Sequence, residues 1–94
     1  MADVTITIQS GTITVDKNKV TVSKAAKDKV KWACHDGTFN IVFKSGSDWP
    51  NPATVQEGNV WKAEAGPFTN PGSLFYGITA PGATPMDPEI QIIP

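Results

Sequence analysis

Apolar residues recur along this chain at every second position, in short runs separated by polar and turn-forming residues. Val4, Ile6 and Ile8 alternate with Thr5, Thr7 and Gln9, the period of a strand. Ser10-Gly11 interrupts the run, Thr12–Val15 resumes it, Asp16-Lys17-Asn18 turns it, and Lys19–Val22 is another short strand. Ser23–Asp28 holds Ala25 and Ala26 among charges and is too short for a stable helix, so it reads as a loop. The most regular stretch is Lys29–Phe43. Val30, Trp32 and Cys34 alternate with Lys29, Lys31 and Ala33, and then Phe39, Ile41 and Phe43 alternate with Asn40 and Val42. Between the two runs, His35-Asp36-Gly37-Thr38 is turn chemistry with a glycine available for positive φ. The stretch therefore predicts a central hairpin.

Beyond it the pattern loosens. Lys44–Asn59 is rich in Ser, Gly, Asp, Asn and Pro, with Trp49 and Val55 as its apolar anchors, and Pro50 and Pro52 oppose pairing. It is expected to be a long loop, and loops of that length in small domains often carry function. Val60–Glu64 is strand-like. Ala65-Gly66-Pro67 and Asn70-Pro71-Gly72 are turns, and Ser73–Ile78 reads as a central strand. Thr79–Pro88 is a second loop with three prolines and Gly82. Glu89–Ile93 closes the chain as a strand with Ile90 and Ile92 on one face. Seven to eight short strands without a helical stripe predict an all-β, Greek-key β-sandwich, with Val30, Trp32, Ile41, Phe43, Phe75 and Ile90 in its core.

Composition narrows this reading. Ninety-four residues make one domain, residues 1–94, with one modest core, and eight glycines with eight prolines suit frequent turns. A net charge of −1 gives no field that would draw nucleic acid or an anionic membrane, so neither is expected as a partner. One cysteine excludes an intrachain disulfide. Residues 1–20 hold no apolar run long enough for a signal peptide, and no stretch reads as a membrane span. As written the chain is cytoplasmic; an exported mature domain behind a new Met1 would read the same.

Candidate chemistry is sparse. Cys34 and His35 are adjacent, so on a strand they point to opposite faces, which suits neither a shared metal nor a thiol–base pair. With one Cys and one His, a tetrahedral N/S zinc set cannot be assembled. Cys34 reads as a buried thiol and His35 as a solvated turn residue. No nucleophile elbow, phosphate loop or HExxH motif occurs. Asp87 and Glu89 share one face near a strand end, where carboxylates usually meet solvent. No enzymatic activity is expected.

Three segments resemble the cupredoxins, the small blue-copper electron-transfer family. Val30-Lys31-Trp32 is similar to the family's Val-x-Trp/Phe strand, and Phe39-Asn40-Ile41-Val42-Phe43 to its His-Asn-Val-Val-Phe strand. Phe75-Tyr76-Gly77, then a loop, Met86 and Glu89–Ile92, is similar to its closing Tyr-x-Cys…His…Met segment and final strand. The resemblance spans roughly residues 12–94. It implies a cupredoxin-like sandwich. It also places Phe39 where the family has its first His, puts the Cys on or beside Gly77, and leaves the second His without a counterpart in Thr79–Thr84. Blue copper needs two imidazoles and a thiolate with a weak axial thioether, and of that set only Met86 remains. The expectation is a metal-free module without a cofactor that mediates protein contacts, with a protein partner or a second copy. The alternative is a copper-binding electron-transfer protein with an altered site. The contact surface is expected at the loop end, from Phe39, Pro81, Pro85 and Met86, with Trp49 bordering it or standing apart.

Overall fold

The computed structural model describes residues 2–44 and 52–94. Among them are nine strands and no helix: β1 (Ala2–Gln9), β2 (Thr12–Val15), β3 (Lys19–Ser23), β4 (Val30–Cys34), β5 (Asn40–Phe43), β6 (Val55–Glu57), β7 (Val60–Ala65), β8 (Gly72–Thr79) and β9 (Glu89–Ile93). They form two sheets, a five-stranded one in the order β2-β1-β4-β7-β6 and a four-stranded one in the order β3-β9-β8-β5. Both are mixed, because β1 runs parallel to β4 and β3 parallel to β9 while the other pairs are antiparallel. The chain is thus the all-β sandwich that the alternation predicts.

Two expectations about the strands change. The Lys29–Phe43 stretch does make two strands, but they do not pair. β4 lies in the five-stranded sheet and β5 in the other, so the His35–Phe39 link crosses between layers, and Gly37 takes no positive φ. The reason is burial: β4 has its in-facing Val30, Trp32 and Cys34 and β5 its Ile41 and Phe43 all in one core, and facing layers cover both sets where a hairpin would leave one face open. The second change raises the count to nine. Val55–Glu57, expected as loop, pairs with β7 through a two-residue turn at Gly58-Asn59, where Gly58 takes φ 60°. The remainder of that loop, residues 45–51 with Trp49, lies outside the described residues.

The core brings Val30, Trp32, Ile41, Phe43 and Ile90 together as expected, and adds Phe39, Phe68 and Tyr76. Phe75 is the exception, at 52% exposed. On β8 the inward set is Tyr76 and Ile78, because β5 registers Phe43 opposite Tyr76 and Ile41 opposite Ile78. Hydropathy favours Phe over Tyr inside, but Tyr76 has a partner for its polar tip. Its hydroxyl oxygen accepts the Trp32 indole N–H at 3.0 Å, with the two rings edge to face at 5.3 Å between centroids. Trp32 is on β4 and Tyr76 on β8, so this bond joins the two sheets through the core.

Three strand N–H groups are bonded by aspartates. Asp16 Oδ1 accepts the Thr5 N–H at 2.8 Å, Asp36 Oδ2 that of Ile8 at 3.0 Å, and Asp28 Oδ2 that of Ser23 at 3.0 Å. The Ser23 N–H bond is the chief reason that the Asp28 carboxyl lies below its ordinary pKa.

Replacing Trp32 with Ala is expected to cost about 3–5 kcal/mol in urea unfolding, as for a buried aromatic. Trp32→Phe keeps most of the volume but removes the donor to Tyr76, and a cost of about 1–3 kcal/mol is expected. The Tyr76 hydroxyl also sets an alkaline limit. Burial raises its pKa above the ordinary tyrosine value of 10.0. The unfolded chain therefore loses that proton first, and stability falls as pH rises past about 10. Tyrosinate absorbance in an alkaline titration should appear together with loss of the native circular dichroism, and free ionisation of Tyr76 in the folded chain would contradict this.

Candidate functional site

The end of the sandwich where β5 begins and β8 finishes gathers most of the residues that the sequence singles out. Phe39 leads into β5 and is fully buried, so it contributes packing to this end and no side-chain surface. Its carbonyl accepts a bond from the Thr54 hydroxyl at 2.6 Å, which ties the segment before β6 to the start of β5. Sequence reading missed Thr54, since a lone threonine in a polar loop carries no signal.

Gly77 does not face into this end. It is buried, but a side chain there would point at the Lys44 ammonium and the Asp87 carboxylate, which form an exposed ion pair at 2.8 Å on the outer face of the four-stranded sheet. The inward position beside it is Ile78, fully buried and registered with Ile41. Asp87 precedes β9, and its carboxylate engages Lys44 across the sheet.

The loop between β8 and β9 is pinned at three places. Ala80-Pro81-Gly82-Ala83 is a turn closed by the Ala83 N–H to the Ala80 carbonyl at 3.1 Å, with Gly82 at φ 72°, the geometry that a Pro-Gly pair favours. Thr84 donates its N–H to the Gly11 carbonyl at 3.0 Å, joining the loop to the β1–β2 hairpin. Met86 exchanges backbone bonds with Ile78, at 2.8 and 3.1 Å. One loop therefore bonds to both sheets and closes the end of the core. Ala80, Ala83 and Met86 pack partly against that core, while Pro81 and Pro85 are exposed.

Of the expected surface, then, Pro81, Pro85 and half-buried Met86 lie on one pinned loop, Phe39 lies beneath the surface, and Trp49 falls outside the described residues. Cys34 is buried and its neighbour His35 exposed, as their adjacency on a strand end implies. Among the described residues no three His, Cys, Asp or Glu side chains group as metal ligands would, and no polar or charged residue is buried.

A second concavity, of about 660 Å³, lies on the outer face of the five-stranded sheet. Its lining includes Thr5, Ala33, Val55, Asp3, Lys31 and Glu64. Lys31 and Glu64 approach each other at 3.7 Å, and Lys62 and Glu57 at 3.1 Å, and all four are exposed.

No protein-family model matches the chain, and no curated protein matches its sequence. In fold it is similar to a chain of a solved structure described as the cryo-EM structure of a heme-copper terminal oxidase dimer, with a TM-score of 0.53 at 13% identity. The match covers 96% of this chain and 62% of that one, so this chain spans less than two thirds of the length of the chain that it resembles. At that identity the likeness is one of fold. Together with two mixed sheets of nine strands, it supports the cupredoxin-like sandwich that the sequence motifs imply. Among the described residues no helix is long and apolar enough to cross a membrane.

Replacing Thr54 with Val removes the hydroxyl donor to Phe39 and keeps the side-chain shape. A loss of about 0.5–1.5 kcal/mol in chemical unfolding is expected, with the native spectrum retained.

Proposed function

We propose that the chain is a metal-free cupredoxin-like module that acts by contacting another protein through the loop end of the sandwich. The observation that carries the reading is Phe39. Where the resemblance puts the first copper imidazole, a hydrocarbon ring is wholly buried, and the inward neighbour of Gly77 is Ile78. These residues do not fit a trigonal set of two imidazoles and a thiolate, since of the positions that the resemblance assigns to ligands only Met86 carries a ligand atom, and a lone thioether binds copper weakly. Cys34 and His35 could not supply the set by moving locally, because one is buried and the other exposed. What remains is a loop bonded to both sheets that presents two prolines to solvent. Such a surface loses little conformational entropy on binding, and an aromatic or methionine side chain beneath it suits the dry centre of a contact.

The test has two arms. Copper(II) and copper(I) titrations of the folded chain should give neither stoichiometric uptake nor a blue thiolate-to-copper band; a tight one-to-one complex would establish the altered-site reading instead. Pro81→Asp and Pro85→Asp, both at exposed positions, should leave thermal stability nearly unchanged and abolish capture of the partner that the native chain retains. Capture undiminished in both variants would move the contact away from this loop.

A further inference from the structure

The outer face of the four-stranded sheet is uneven in a way that the loop end does not explain. Among the described residues four large hydrophobic side chains are exposed, and three of them, Val42, Phe75 and Ile93, lie on this one face. Phe75 is at its middle. Its register neighbour on β9 is Glu89, and on the other side the Lys44 N–H bonds to the Phe75 carbonyl, so one row across the sheet reads Lys19, Glu89, Phe75, Lys44. The next row holds Val42 opposite Gly77, and the row on the far side holds Ser73, Gln91 and Thr21. The aromatic ring thus stands between a carboxylate and an ammonium in its own row, with Ser73 and Gly77 before and after it on its own strand face.

We infer that a second copy of this chain packs on this face, with Phe75 against Phe75 of the other copy. The argument is the symmetry of the charges. Glu89 and Lys44 stand one strand to either side of Phe75, at about 4.8 Å each in the usual strand spacing. A twofold axis that runs along β8 in the plane of contact exchanges the two sides. It lays Lys44 of each copy over Glu89 of the other, twice, while the rings meet on the axis. An isologous contact requires this self-complementarity, and aligned sheets stack face to face in the same manner inside sandwiches. Asp87, which already holds Lys44 at 2.8 Å, stands beside Glu89 at the start of β9, so the incoming ammonium meets two carboxylates. Glu89 makes no ion pair among the described residues.

The face is small. Strand spacing and rise put it on the order of 400 Å², so two copies bury less than about 1,000 Å² in total, at the low end of specific interfaces. The association is therefore weak, concentration-dependent and, through its charge pairs, weakened by salt.

Sedimentation of the full chain from micromolar to millimolar concentration tests this. The native chain should shift from monomer towards dimer, less so in high salt. Phe75→Ser should weaken the association about tenfold or more, as for an interface anchor. Val42→Asp is a second variant on the same face; the axis lays it over the Gly77 row of the other copy, which ends at Asp87, so like charges meet and the association should weaken. Lys44→Glu and Glu89→Lys should each weaken it, and the double variant Lys44→Glu with Glu89→Lys should recover most of what either loses, because the exchange restores opposite charges across the axis. These side chains lie outside the core, and far-UV circular dichroism checks that each variant keeps the native fold. A native chain that stays monomeric throughout would overturn the inference. So would association unaffected by both Phe75→Ser and Val42→Asp, or a double charge variant no better than either single one.

Discussion

The bond between Trp32 and Tyr76 is the constraint on which the arrangement depends. One residue belongs to each sheet, and both are wholly buried. An indole N–H and a phenol hydroxyl without partners would each make the core unfavourable, so the two must meet, and their meeting sets how the sheets lie over one another. Phe43 extends the cluster, with its ring edge to face with Tyr76 at 6.5 Å. Once Tyr76 faces inward, strand alternation turns Phe75 and Gly77 outward. The exposure of Phe75 on the outer face thus follows from one polar contact in the middle of the core.

The rest of the chain works around the edges of that core. Where a ladder stops, backbone groups need another partner, and three aspartates, Asp16, Asp28 and Asp36, each accept one strand N–H. At the loop end the same need is met by backbone, through Thr84 to the β1–β2 hairpin and Met86 to β8. A loop held to both sheets cannot open without breaking bonds in each.

Much of the fold was legible in the sequence. Period-two alternation marked β1 to β5 and β9, because each strand buries one face and wets the other, while β7 and β8 stood out as apolar runs between turns. The short β6 was missed among prolines, although Gly58-Asn59 is a recognised two-residue hairpin turn and was the available signal. Of the candidate site, Pro81, Pro85 and Met86 were found on one loop, whereas Thr54 could not be foreseen, because a single hydroxyl bonded to a distant carbonyl leaves no local pattern. The orientation of Phe75 was misjudged because in a run such as Leu74-Phe75-Tyr76 every residue is apolar enough for the core, and alternation then offers no contrast.

By itself, then, the sequence determined eight of the nine strands, that they enclose a single apolar core, and that Cys34 and His35 face apart, since all three follow from short-range patterns along the chain. Only the tertiary structure decided which strands are neighbours. The parallel pairs β1–β4 and β3–β9 join segments far apart in the chain, and the link from β4 to β5 passes between sheets where local turn chemistry suggested a hairpin. The physical reason is that pairing partners are selected by which buried faces can cover one another, a property of the assembled core that no short window of residues contains.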